Sequence, residues 1–328
     1  MLELAPAIAA LVMGLACLIW GADRFIAGSA AAAHNLGVAP IVIGLTVVSI
    51  GTSAPEITVS ISAALHDAGQ IAVGNALGSN IANVGLVLGF TILITPITTA
   101  RHLLTTEGPV LLLVTAGAGF CLYDGLLDRL ESLLMLAALV VLIWATLFFK
   151  RLTPDLERTE LEEEIPAMTM PIAAMWFSVG LIIMLVGAET LVWGAKMIAT
   201  RAGLSQLVIG LTVVAVGTSL PELAASMVSA RRGHHAIAIG NIFGSNLFNL
   251  LAVMPAAGIV APIYLETATF YRDYLAMAGL TLLMVLAVAI LHRNHRPQPM
   301  APRRLSRGFG GSLLALYGLY YLILFAPG

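Results

Sequence analysis

The chain has 328 residues, 59% of them hydrophobic and only 10% charged, with 16 Lys and Arg against 18 Asp and Glu and a formal net charge of −2. A soluble domain carries about 25% charged residues, so this composition excludes an ordinary soluble enzyme and places the chain in lipid. No basic block offers a nucleic-acid surface, and Cys17 and Cys121 stand singly in apolar sequence, reading as small core residues rather than a disulfide or a metal site.

A stretch of about 20 apolar residues crosses a bilayer. Ten such stretches are predicted: 6–33, 39–64, 71–95, 104–123 and 127–149, then 171–200, 206–230, 236–262, 267–291 and 309–326. The first leads to small residues around Ala27–Ala30 but lacks a positive leader region, its first charge being Glu3, so a retained helix is expected. It carries Asp23 beside Arg24. The second contains Gly51-Thr-Ser-Ala-Pro-Glu56, and the third Gly74-Asn-Ala-Leu-Gly-Ser-Asn-Ile-Ala-Asn83. A polar piece at 150–166, with Glu160, Glu162, Glu163 and Glu164, reads as a solvated linker. The sixth stretch carries Glu189 and Lys196. The seventh contains Gly217-Thr-Ser-Leu-Pro-Glu222, and the eighth Gly240-Asn-Ile-Phe-Gly-Ser-Asn-Leu-Phe-Asn249.

The last two motifs repeat the first two at a constant offset of 166 residues (222 − 56 and 249 − 83), and Gly21-Ala-Asp23 falls on Gly187-Ala-Glu189. The expected architecture is therefore all-α and integral to the membrane: ten transmembrane helices as two inverted five-helix repeats, with broken helices at an ion site. Residues 1–150 form the first repeat, 151–170 an acidic cytoplasmic linker, and 171–328 the second repeat. Five helices per unit is an odd number, so the units enter the membrane from opposite sides. With the N-terminus outside, the inner loops collect Arg101, Lys150, Arg151, Arg158, Arg231, Arg232, Arg293, Arg296, Arg303, Arg304 and Arg307; the outer loops hold Arg129, Arg201 and Arg272. This bias puts both termini on the non-cytoplasmic side of the cell's plasma (inner) membrane.

The motifs carry the chemistry. Pro55 cannot donate a backbone hydrogen bond, and with Gly51 it is expected to interrupt the helix and free carbonyls such as those of Ser49 and Thr52. Ala215 and Thr218 hold the matching places in the second copy. Free carbonyls in lipid cost several kcal/mol each unless satisfied, and a cation satisfies them. Glu56 and Glu222 are carboxylates near mid-membrane, which marks them as functional candidates. With Thr and Ser hydroxyls and the Asn83 and Asn249 amides they offer an all-oxygen cage of charge near −2. That suits Ca2+, which takes 6–8 oxygens, and holds Na+ through fewer ligands per ion. Gly74, Gly78, Gly240 and Gly244 read as close-packing positions. Asp23 and Glu189, near Arg24 and Lys196, read as ion pairs or interfacial anchors, with gating as the alternative.

Gly-Thr-Ser-x-Pro-Glu followed by Gly-Asn-x-x-Gly-Ser-Asn-x-x-Asn, present twice, resembles the alpha repeats of the sodium/calcium exchanger family within the cation/calcium antiporter group. Motif matching covers about residues 37–90 and 203–255, and the ten-helix layout extends the resemblance along the chain. The resemblance implies an antiporter that expels Ca2+ on inward Na+ flow by alternating access. It makes Glu56 and Glu222 shared central ligands and Thr52 and Thr218 backbone-carbonyl ligands of the calcium site. It assigns Ser53 and Ser219 to an inner sodium site, Ala215, Thr218, Ser79 and Ser245 to an outer one, and Asn83 and Asn249 to the centre. In similar proteins the long first and sixth helices slide across this core. Some members carry aspartate where this chain has Asn249, and in one branch that acid accompanies potassium co-transport; the amide here implies no potassium requirement. The implied form is the minimal prokaryotic one, with Ca2+ and Na+ as substrates, no cofactor, the bilayer as surroundings and no protein partner.

The runner-up reading is a Ca2+/H+ antiporter, which would not need the hydroxyl-rich Gly-Thr-Ser. A membrane hydrolase using Ser53 or Ser219 lacks a histidine base within the predicted spans. A passive channel would need no counter-ion.

Overall fold

The structure, a computed structural model, describes residues 4–66, 68–152, 168–203, 215–293 and 303–326. The acidic stretch Glu160–Glu164 and the start of the seventh predicted span lie outside these residues. The described chain is helical almost throughout. Its helices are α1 (Ala5–Leu36), α2 (Pro40–Thr52), α3 (Ala54–Leu65), α4 (Gly69–Ile94), α5 (Leu103–Leu122), α6 (Arg129–Leu152) and α7 (Met170–Arg201). They continue with α8 (Ala215–Thr218), α9 (Leu220–Arg231), α10 (His235–Val260), α11 (Thr269–Arg293) and α12 (Arg307–Leu324).

Among the described residues, seven helices are long and apolar enough to cross a membrane, and α2 with α3 makes an eighth as one bent span. Helices also stand where the seventh and tenth spans are expected, α8 with α9 and α12. One departure from the all-helical expectation is a two-residue antiparallel pairing, Leu126–Leu127 with Ile263–Tyr264, which ties two loops together. Local chemistry sets the ends. α1 starts on Pro6, whose missing N–H lies among the unpaired first-turn donors, and stops at Gly37, whose φ of 65° ends it in the left-handed region.

The two longest helices, α1 and α7, have 32 residues each and pack against one another along a glycine seam. A Cβ on Gly14, Gly21 or Gly28 would collide with the backbone nitrogens of Leu191, Met184 and Phe177. A Cβ on Gly180, Gly187 or Gly194 would likewise meet the α1 backbone. Each set recurs every seventh residue, and 14, 21 and 28 map onto 180, 187 and 194 by the 166-residue offset. Such small-residue seams let helix backbones approach where lipid provides no hydrophobic drive.

The core lies beneath this pair. α10 is almost wholly buried and packs against α2: a Cβ on Gly240 would lie 2.8 Å from the Ile41 carbonyl oxygen. Two wide helical turns of π type begin at Asn83 and at Asn249, again 166 residues apart. Such turns collect at functional sites.

The repeats are not packed alike. On one face Ala22, Phe25 and Ile26 of α1 join Ala224, Ala225 and Val228 of α9 in a single buried apolar cluster. The repeat-equivalent helices, α7 and α3, barely touch. A cavity of about 520 Å³ lies between them, lined by Thr58, Val59, Ala188, Glu189 and Val192. Four of these, Thr58, Val59, Ala188 and Val192, are the counterparts of Ala224, Ala225, Ala22 and Ile26.

Candidate cation-binding site

The bent span supplies the first carboxylate. α2 and α3 meet at 47°, with Ser53 at the break (φ −81°, ψ 8°). Pro55 has no N–H for the Gly51 carbonyl, so the ladder cannot pass through it. Ser219, between α8 and α9, adopts nearly the same conformation (φ −89°, ψ 4°) ahead of Pro221. Glu56 and Glu222 thereby fall in the first turns of α3 and α9, where the partial positive charge of a helix N-terminus favours an anion. Both side chains are 1% exposed.

Six asparagines tie the core together, two at the breaks and four between the halves. Asn75 Nδ2 donates to the Glu56 carbonyl (3.3 Å) and to Ser60 Oγ (3.5 Å). Asn241 repeats this with the Glu222 carbonyl (3.4 Å) and Ser226 Oγ (2.9 Å), while its Oδ1 accepts from Thr52 Oγ1 (3.2 Å). Between the halves, Asn249 Nδ2 donates to Asn80 Oδ1 (3.0 Å), Asn83 Nδ2 to Asn246 Oδ1 (3.2 Å), and Asn80 Nδ2 to the Asn246 carbonyl (3.2 Å). Asn75, Asn80, Asn241 and Asn246 belong to the repeated motifs. Sequence reasoning singled out only the last asparagine of each motif, although the others recur at the same offset.

These bonds leave oxygens over. Glu56 Oε2, Glu222 Oε2, Ser219 Oγ, Ser245 Oγ, Asn83 Oδ1 and Asn249 Oδ1 are buried without a hydrogen-bond partner. All six belong to residues expected at the site, while Thr91 Oγ1 and Ser229 Oγ are unpaired elsewhere in the core. Buried polar atoms are normally paired, because leaving one unsatisfied costs about 1–3 kcal/mol. The two carboxylates are close enough to interact. Ser53 Oγ lies 3.2 Å from Glu222 Oε1, so this bond crosses from the first repeat to the second. Two buried carboxylates beside surplus neutral oxygens are a donor set of the kind that hard cations take.

One expectation fails in detail. The Ser49 carbonyl is not free: it accepts the Ser53 N–H (3.0 Å) and the Thr52 hydroxyl (3.3 Å). In the second copy the Ser219 N–H turns one residue tighter, to the Val216 carbonyl (3.2 Å), and so bypasses Ala215, the first residue of α8. Thr218 lines the cavity between α3 and α7.

The remaining candidates stay apart. Asp23 pairs with Arg232, not Arg24, whose guanidinium lies over Trp20 and Trp176. Among the described residues no three His, Cys, Asp or Glu side chains cluster as a metal site.

A many-helix membrane protein whose core buries paired carboxylates among unpaired oxygens belongs to the class of ion-translocating proteins. Comparison with known proteins narrows this. A family profile described as "Sodium/calcium exchanger protein" matches residues 6–148 and 172–326. The inner membrane protein YrbG of Escherichia coli is 38% identical over 329 residues, covering 96% of this chain and 97% of that one. The sodium/calcium exchanger MaX1 of Methanosarcina acetivorans is 29% identical over 324 residues, covering 85% and 90%. The solved structure of the sodium-calcium exchanger NCX_Mj soaked with zero Na+ and Ca2+ superposes with a TM-score of 0.83 at 30% identity, covering 98% of this chain and 99% of that one. The chain belongs to the sodium/calcium exchanger family. It is a transporter of the cation/calcium antiport type and not an enzyme.

Proposed function

We propose that the chain exchanges Na+ for Ca2+, with Na+ influx driving Ca2+ efflux across the plasma membrane of the cell. The observation that carries this reading is the set of six unpaired buried oxygens distributed over both motif copies. In this reading Glu56 and Glu222 are the shared ligands of either ion. Thr52 and Thr218 present backbone carbonyls to Ca2+. Ser53 and Ser219 serve one sodium site, while Ser79, Ser245, Ala215 and Thr218 serve another, and Asn83 and Asn249 complete the centre. Ser49 acts from the end of the broken helix, with its carbonyl already engaged. Ca2+ demands 6–8 oxygens, whereas Na+ is satisfied with fewer. Ions that share two carboxylates exclude one another, and mutual exclusion is what couples their movements.

The architecture of the proposal is ten spans in two inverted repeats, 1–150 and 171–328, joined by a cytoplasmic segment at 151–170, with both termini on the outer side. The unequal packing of the halves, sealed between α1 and α9 and open between α3 and α7, supports alternating access around a fixed site. With this orientation the open side is the outer one.

The test is Ca2+ uptake into Na+-loaded proteoliposomes clamped at zero voltage. Uptake should collapse when Na+ is equilibrated across the membrane and persist with a protonophore present. Uptake driven by a proton gradient and indifferent to Na+ would establish Ca2+/H+ exchange instead.

A further inference from the structure

The side chain of Arg232, in the turn after α9, closes on Asp23 of α1 with Nη2–Oδ1 at 2.6 Å and Nε–Oδ1 at 2.8 Å. This pair lies on the sealed face, where α1 and α9 share their apolar cluster. Its location has a counterpart. Asp23 maps by the 166-residue offset onto Glu189, and Arg232 maps onto His66, in the turn after α3. There the same two elements stand apart: Glu189 lines the cavity between α3 and α7, and the exposed His66 spends its Nδ1 on the Ser62 carbonyl one turn back (2.7 Å).

In an inverted-repeat protein the second access state follows when each half adopts the arrangement of the other. We propose that His66 and Glu189 form the opposite latch: when α1 and α7 move together across the core, Asp23 parts from Arg232, the α3–α7 cavity closes, and Glu189 meets His66. The proposal rests on the transport reading for its alternating motion but not on which ions move. Three observations support it. The cavity-lining residues are the repeat-equivalents of the sealed cluster. The glycine seam joins α1 and α7, so that they travel as one body. Asp23 and Glu189 are both acids, and Arg232 and His66 both bases, so the exchanged arrangement again pairs opposite chemistry. The two latches are chemically unequal, because a guanidinium grips a carboxylate with two donors whereas an imidazole offers one. The sealed face shown here is accordingly the more strongly held.

The test uses full-length protein in nanodiscs, with both native cysteines replaced (C17A and C121A). H66C/E189C should be crosslinked by a short bis-methanethiosulfonate during exposure to Na+ and Ca2+ at least several-fold faster than the control L65C/E189C, and D23C/R232C, whose native side chains span an ion pair, should crosslink readily with the same reagent. H66C/E189C crosslinking no faster than the control, with D23C/R232C crosslinking normally, would overturn the latch. A second readout avoids disulfides. Thr58 is exposed in the cavity, while its counterpart Ala224 is buried, so maleimide labelling of T58C reports the open state. H66R should slow labelling roughly two- to five-fold, the effect of a partly exposed ion pair, and E189Q should cancel that slowing. An H66R effect indifferent to E189Q, or none, contradicts the proposal. Both readouts work without ion flux. A protein that moves no Ca2+ yet behaves as stated would refute the Na+/Ca2+ assignment and leave the latch standing.

Discussion

The motif copies Gly51–Glu56 and Gly217–Glu222 differ in only one residue, Ala54 for Leu220, yet their surroundings diverge. Ser53 reaches across to Glu222, whereas Ser219, its counterpart, has an unpaired hydroxyl. Gly240 and Gly244 are pressed against α2, while among the described residues a Cβ on Gly74 or Gly78 would meet nothing within 4 Å. Asn241 is fully buried with three bonds; Asn75 is half-buried with two, of 3.3 and 3.5 Å. Identical chemistry in unequal packing fits the proposed alternating access, with the protein at one end of that motion. The half whose counterparts are sealed bears the structural load, and the other half provides the opening.

The largest expected effect should break the symmetry of neither half. E56Q and E222Q each remove one negative charge from the cage, and each should cut exchange about a hundred-fold or more, the equivalent of roughly 3 kcal/mol for a charge-assisted contact. Chromatographic behaviour should stay normal. Near-normal transport by either variant would remove that carboxylate from the site.

The glycines sharpen the contrast. G240A forces a Cβ against the Ile41 carbonyl at 2.8 Å, an overpacking of about 1–3 kcal/mol, and should lower the melting temperature in detergent by several degrees. G74A should leave it unchanged. Equal melting of the two variants would mean that the halves are packed alike.

Smaller effects follow from the hydrogen bonds. N241A removes the Thr52 hydroxyl's bond across the repeats and the donor to the Ser226 hydroxyl, and should cost about 1–3 kcal/mol. N75A, losing contacts of 3.3 and 3.5 Å, should cost less than half as much. Smallest of all, S53A should lower thermal stability by about 1 kcal/mol while S219A leaves it untouched; both should weaken Na+ dependence. A stability loss in S219A equal to that in S53A would contradict the assignment of its hydroxyl as unpaired.

Much of this was legible in the sequence. Spans of apolar residues and the paired Pro-Glu motifs located the helices and both carboxylates, because burying a charge in lipid is costly enough to leave a clear mark. Hydrogen-bond partners were less legible. Nothing in the order of residues distinguishes Asn80, which bonds across the repeats, from Asn83, which retains a spare oxygen; only the turn of the helix does. The Ser49 carbonyl was expected to be free because Pro55 removes a donor, but the chain recovers one from Ser53 and another from Thr52. The glycine seam was present as Gly14, Gly21 and Gly28 repeated at Gly180, Gly187 and Gly194, a seven-residue period hidden by the general abundance of small residues in α1. The unequal packing of the halves could not be read at all, since two nearly identical motifs carry no record of which one is open.

The central claim is that one cation is held jointly by Glu56 and Glu222, and the most direct test is anomalous scattering from crystals soaked in Sr2+. The account predicts a single strong peak between the two carboxylates, within ligand distance of an oxygen from each repeat, and its loss in E222Q. A peak bound to one carboxylate alone, or none between them at saturating Sr2+, would contradict it.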